Sequence, residues 1–123
     1  LKPKDNIYYF EIKMDFTKDK VEQTKREHKV IGANDRYICI DDSLFTSLQT
    51  KQYYRGDKVD FNEIKIYESH SSCLGDYIRA YLYTASPSEK IAYRRIKKAL
   101  EKFIYEKHGR YCNAISFLDK IQI

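Results

Sequence analysis

Residues Ser86–Gly109 read SPSEKIAYRRIKKALEKFIYEKHG, and this stretch decides the fold. Ser86 offers an N-cap hydroxyl to an orphan amide of a first helical turn. Pro87 falls at the first helical position, where its missing N–H costs nothing. Glu89, three residues after Ser86, completes a capping box. Ala92, Ile96, Ala99, Leu100, Phe103 and Ile104 recur at three- and four-residue steps and form one apolar stripe. Lys107 and His108 suit the negative end of the helix dipole, and Gly109 suits a left-handed closing residue. The spacing therefore predicts one long amphipathic helix, whose stripe must lie against another layer.

That other layer is read from the residues before it. Ile7–Phe16 alternates with period two: Tyr8, Phe10, Ile12, Met14 and Phe16 face one way, Tyr9, Glu11, Lys13 and Asp15 the other. This is the pattern of a half-buried strand. Thr17–Lys20 reads as a hairpin turn, and Val21–Ile31 as a polar strand suited to an edge or an exposed arm. Gly32–Asp35 is the next turn. Arg36–Ile40 is short, apolar and β-branched, as a more central strand would be. Asp41, Asp42 and Ser43 suit a cap for one helical turn over Leu44, Phe45 and Leu48, and Gln52–Tyr54 suits a short strand. Val59–Glu68 is strand-like, with Ile64, Ile66 and Tyr67 as expected core residues, and Ser69–Gly75 is a loop. Tyr77–Thr84 alternates Tyr77, Arg79, Tyr81 and Tyr83 against Ile78, Ala80 and Leu82.

After the helix, Ile115, Phe117, Ile121 and Ile123 alternate, while Asn113 with Ile115, Leu118 and Ile121 fits a short helix; the alternation favours a strand. The fold class is α+β, an antiparallel β-meander packed against one long helix in the C-terminal half. Residues 1–123 form a single domain: 1–84 mainly β, 86–109 helix, 110–123 a short strand or helix.

Composition narrows the function classes. No run of 18 apolar residues is present to span a membrane, and no leader segment is visible. Three cysteines without framework spacing fit a reduced, cytoplasmic protein. Twelve tyrosines, six phenylalanines and no tryptophan point to half-buried strand positions, to interfaces, or to stacking on bases. The helix holds seven cations (Lys90, Arg94, Arg95, Lys97, Lys98, Lys102, Lys107) against three acids, in a chain of net charge +5. Such a face is either simply solvated or a surface for phosphates.

With four glycines and no phosphate-loop, dinucleotide or nucleophile-elbow motif, any phosphate must be held by Arg and Lys side chains. The basic–aromatic strand is the most informative feature. Tyr77, Arg79 and Tyr81 share one strand face, and Arg94, Arg95 and Lys98 lie on the helix after a short turn. If the two faces border one groove, these six residues form a nucleotide site; otherwise the tyrosines pack in a second core or a dimer interface. His70, Cys73, His108 and Cys112 have spacings open to zinc, but their His–Cys order is unusual and no metal or cofactor is assigned. His70 beside Ser71, Ser72 and Cys73 is a poor nucleophile pair, because neighbours along a chain rarely align for catalysis, so no catalytic residue is assigned.

The layout of an opening strand of the KxYxFxIxxDF type (Ile7–Phe16), a polar strand, a short apolar strand (Arg36–Ile40) and a late basic helix resembles small phage-encoded anti-defence proteins. Among these are nucleotide sponges of the Thoeris anti-defence kind. The resemblance implies a non-enzymatic homo-oligomer, a homodimer or larger, that sequesters a phosphate-bearing cyclic nucleotide signal at subunit seams. Two other expectations stand beside it. One is a nucleic-acid-binding module, or an inhibitor of a host nuclease, acting through the basic helix. The other is a protein–protein interaction domain.

Overall fold

The structure, a computed structural model, describes residues 6–33, 38–41, 51–53, 62–107 and 114–123, with side chains at 6–29, 62–107 and 114–123. In chain order the elements are β1 (Asn6–Asp15), β2 (Lys20–Ala33), β3 (Ile38–Asp41), β4 (Lys51–Tyr53), β5 (Ile64–Ser71), β6 (Gly75–Thr84), α1 (Glu89–Glu106) and α2 (Ile115–Leu118). The strands form one six-stranded sheet in the order β4-β3-β2-β1-β6-β5, and every pairing is antiparallel. β1 to β4 run as a meander, and the β5–β6 hairpin closes on the free side of β1. The α+β class, with its long helix in the C-terminal half, is thus the observed architecture.

The β1–β2 hairpin is fixed by its turn chemistry. The Asp15 carboxylate accepts from the amides of Thr17 (3.1 Å) and Lys18 (3.0 Å), and Asp19 takes a left-handed φ of 53°. Asp and Asn bind local amides in this way and tolerate positive φ better than other side chains. The turn also reaches the neighbouring hairpin, because Phe16 N–H donates to Asp76 O at 2.9 Å.

β1 is more deeply placed than a half-buried strand. Phe10, Ile12 and Met14 are fully buried on one face, and on the other Ile7 is fully buried and Tyr9, Glu11 and Asp15 nearly so. Its position between β2 and β6 explains the burial. β2, expected at an edge, pairs with β1 along Lys20–Lys29 and with β3 along Val30–Ala33, so it is an interior strand of the sheet. β5 extends to Ser71, so the tight turn at Ser72–Leu74 replaces the expected long loop. Tyr67, expected in the core, is 51% exposed. The expected turn at Gly32–Asp35 gives way to strand as far as Ala33. The one-turn helix over Leu44–Leu48 lies outside the described residues.

α1 starts two residues later than the sequence predicts. Ser88, not Ser86, is the N-cap, and its hydroxyl accepts from Ile91 N–H at 3.3 Å. Ser86 instead accepts from the amide of Ser88, and Thr84 from that of Ser86. Pro87 therefore precedes the cap, and Glu89, now the first helical residue, ion-pairs with Lys25 at 3.2 Å rather than forming a capping box. Lys107 is the C-cap; Gly109 lies outside the described residues.

The core sits between α1 and one sheet face. Phe10, Ile12 and Met14 of β1 and Ile78, Ala80 and Leu82 of β6 meet Ala92, Tyr93, Ile96, Leu100 and Ile104 of α1. Each fully buried Ile or Leu contributes about 1.5–3 kcal/mol by leaving water. Phe10 meets Tyr93 edge-on, with ring centroids 5.5 Å apart. Ile115–Leu118 is a short helix, which corrects the strand expected there. Phe117, Leu118 and Ile121 enter the core at helical spacing, and Phe117 packs edge-on against Phe16 at 5.1 Å.

Candidate functional site

Strand alternation decides where the proposed site residues go. The even positions Ile78, Ala80 and Leu82 of β6 face α1, so Tyr77, Arg79, Tyr81 and Tyr83 project from the opposite face. Antiparallel register brings β1 residues beside them: Tyr83 is opposite Tyr9, Tyr81 opposite Glu11, Arg79 opposite Lys13 and Tyr77 opposite Asp15. On the other side β5 places Lys65 opposite Tyr81 and Tyr67 opposite Arg79. β2 adds Arg26 opposite Tyr9.

The result is an aromatic surface threaded with cations. Tyr67 and Tyr81 stack nearly parallel, with centroids 5.8 Å apart and an interplanar angle of 15°. Tyr9 adjoins Tyr81 at 5.7 Å and Tyr83 at 5.0 Å. The Arg79 guanidinium carbon lies 5.5 Å from the Tyr67 centroid and 5.6 Å from that of Tyr81. Arg26 lies 5.1 Å from the Tyr9 ring, and Lys13 4.5 Å from the Tyr77 ring. Cations near ring centroids are held by the ring quadrupole, which keeps their donors over a stacking surface.

Beneath this surface is a polar triad. Tyr9 O–H donates to Glu11 Oε1 at 2.5 Å, and Arg79 Nε lies 3.6 Å from the same oxygen. Burial of Tyr9, reinforced by its hydrogen bond to Glu11, pushes the phenol well above its ordinary range, so Tyr9 is a neutral donor at every physiological pH. Arg79 Nε is buried and beyond hydrogen-bonding distance of any acceptor among the described residues, while its side chain is 38% exposed. Arg79 is therefore electrostatically anchored beside Glu11, while the exposed part of its side chain is open to an incoming anion.

Arg94, Arg95 and Lys98 are not part of this surface. They lie on α1, which covers the other side of the sheet. Arg95 serves the fold: its guanidinium donates to Asn62 Oδ1 at 2.8 Å and Asn62 O at 3.0 Å. Asn62 has φ 67° and donates its N–H to Tyr83 O at 2.7 Å, so Arg95 holds the left-handed residue that leads into β5. Arg94 and Lys98 are exposed on the outer helix surface. The structure thus joins Tyr77, Arg79 and Tyr81, adds Tyr9, Tyr67, Glu11 and Arg26, and separates the three helix cations.

The other candidate chemistry resolves into turn structure. Ser71 Oγ accepts from the amides of Cys73 and Leu74, each at 3.1 Å, so it closes the β5–β6 turn. His70 lies between Asp76 (Nδ1–Oδ1 2.9 Å) and Glu68 (Nε2–Oε2 3.4 Å), and Cys73 is exposed. His108 and Cys112 lie outside the described residues. Among the described residues no cluster of three or more His, Cys, Asp or Glu could hold a metal ion. No described helix is long and apolar enough to cross a membrane.

A groove of about 660 Å³ lies elsewhere, lined by Gln23, Glu89, Lys90, Tyr93, Gln122 and Ile123. Its floor is tied by a reciprocal pair: Gln23 Nε2–H donates to Gln122 O at 2.9 Å, and Gln122 N–H donates to Gln23 Oε1 at 2.8 Å. With one cation and one anion in its lining, it offers little to a phosphate. Comparison of the chain with protein-family models, with curated proteins and with solved structures yields no match.

Proposed function

We propose that this chain is a non-catalytic binding protein that captures a phosphate-bearing nucleotide on the β1–β6–β5 face. The observation that carries this reading is the parallel Tyr67–Tyr81 pair with the Arg79 guanidinium beside both rings. Half-exposed Tyr67 offers a ring face for a base, and a stacked base is worth about 1–3 kcal/mol. Arg79, whose side chain is 38% exposed, offers its guanidinium to the phosphate, with Lys65 and Lys13 as flanking positive charge. In its fuller form the proposal is a phage-borne inhibitor, acting in the cytoplasm as a homodimer, that withdraws a cyclic nucleotide signal from a bacterial immune system. The ring–guanidinium surface supports the capture step of that reading.

The test is thermal unfolding against a panel of linear and cyclic nucleotides. A ligand at about 100 times its Kd stabilises the fold by about 2.7 kcal/mol, a shift of several degrees in Tm. Arg79→Gln and Tyr67→Ala each abolish the shift. If no nucleotide moves the wild-type Tm by more than about 1 °C, a scale set by the same linkage, the reading fails.

A further inference from the structure

The outer surface of α1 carries a second charged feature that the nucleotide face does not use. Lys90, Arg94, Lys98 and Lys102 stand at successive i+4 positions, and all four are exposed. Such a row is one of the natural surface ridges of a helix. At 1.5 Å per residue it spans about 18 Å. The acids that would neutralise it are mostly turned elsewhere. Glu89 is drawn to Lys25 on β2 at 3.2 Å, Glu101 is half-buried, and Glu106 meets Lys102 at the end of the row at 4.0 Å. Arg95 is held at Asn62, so the ridge is Lys90, Arg94, Lys98 and Lys102 alone.

We infer that this ridge is a docking surface for a nucleic-acid phosphate backbone. Charge complementarity argues for this occupant. A rigid helix presents four cations at regular steps of about 6 Å, and only a polymer with repeating negative charge meets all of them at once. A protein partner of the specific kind needs a buried apolar or aromatic centre. Here the two exposed large apolar side chains of α1, Ile91 and Tyr105, stand singly, 14 residues and about 21 Å apart along the axis, and form no such centre. The ridge and the tyrosine surface lie on opposite sides of the sheet, so the two activities are separable.

The experiment is fluorescence anisotropy of a labelled 20-base-pair DNA duplex with the full chain across a salt series. Three or four phosphate contacts give a log–log salt slope of about −2.7 to −3.6, a loss of roughly 40- to 150-fold in affinity between 50 and 200 mM salt. Arg94→Gln/Lys98→Gln makes the slope shallower by about 1.8, which is the loss of two contacts. Lys18→Gln/Lys29→Gln removes the same charge from exposed sites off the helix and leaves the slope unchanged. Tyr67→Ala and Arg79→Gln also leave it unchanged, whatever they do to nucleotide binding. Circular dichroism melts confirm that each variant folds. Absence of binding at 50 mM salt, a slope near zero, or equal weakening by the Lys18/Lys29 pair would overturn the inference.

Discussion

Replacing Tyr9 by Phe removes one oxygen from the middle of the polar triad and leaves every ring contact in place. Tyr9 is 6% exposed and Glu11 9%, so the bond between them is sheltered from water. A hydrogen bond to a charged group contributes about 1.5–3 kcal/mol. Arg79 remains 3.6 Å from the same Glu11 oxygen, so the cost falls in the lower half of that range, at about 1.5–2 kcal/mol. Urea unfolding at pH 7.5 reads this as a lower midpoint at unchanged m. The pH dependence gives a second, independent reading. The folded-state pKa of Tyr9 is raised above the unfolded value of 10, so its contribution is fully present below pH 10 and is lost as pH rises beyond it. In the wild type this costs about 1.4 kcal/mol per pH unit above 10, and in Tyr9→Phe that loss is missing. The stability gap between the two proteins therefore narrows by about 1.4 kcal/mol between pH 8 and pH 11. A gap below about 0.5 kcal/mol at pH 7.5, the scatter of ordinary surface substitutions, or one that stays constant to pH 11, would refute the triad.

Two further substitutions test the fold that positions the face. Ser88→Ala lowers stability by about 1 kcal/mol and by more than Ser86→Ala does, as urea melts of the two variants would show. Leu100→Ala, at a fully buried site, costs about 2–5 kcal/mol, whereas Lys98→Ala two residues away stays within about 0.5 kcal/mol.

Much of the fold was legible because single segments carry unambiguous periods. Phe10, Ile12 and Met14 alternate cleanly, and Ala92, Ile96, Leu100 and Ile104 follow a helical stripe; both sets lie in the core. Local ambiguity produced the errors. Ser86 and Ser88 are both competent caps flanking Pro87, and only the backbone shows which hydroxyl meets an orphan amide. Ile115, Phe117, Ile121 and Ile123 alternate, but Phe117, Leu118 and Ile121 bury together because the chain turns into a helix. Tyr93 was missing from the expected stripe because its hydroxyl reads as polar, yet its ring packs on Phe10.

The site was half legible. Tyr77, Arg79 and Tyr81 share a face by alternation alone. Their partners Tyr9 and Glu11 come from β1, remote in sequence, and Tyr67 from the preceding strand of the same hairpin, and only register brings them together. The separation of Arg94 and Lys98 from that face does follow from the sequence. A helix covering the aliphatic residues Ile78, Ala80 and Leu82 must lie on the side away from the tyrosines. Arg95 could not have been assigned, because its partner Asn62 is an isolated turn residue.

The most direct measurement is NMR of ring-labelled tyrosines, titrated with whichever nucleotide raises Tm most. Stacking on the sheet face should shift the Tyr67 and Tyr81 ring signals and leave those of Tyr93 and Tyr105 unmoved. A titration that moves Tyr93, which lines the Gln23–Gln122 groove, while Tyr67 and Tyr81 stay still would contradict the assignment of the site to the tyrosine–arginine face.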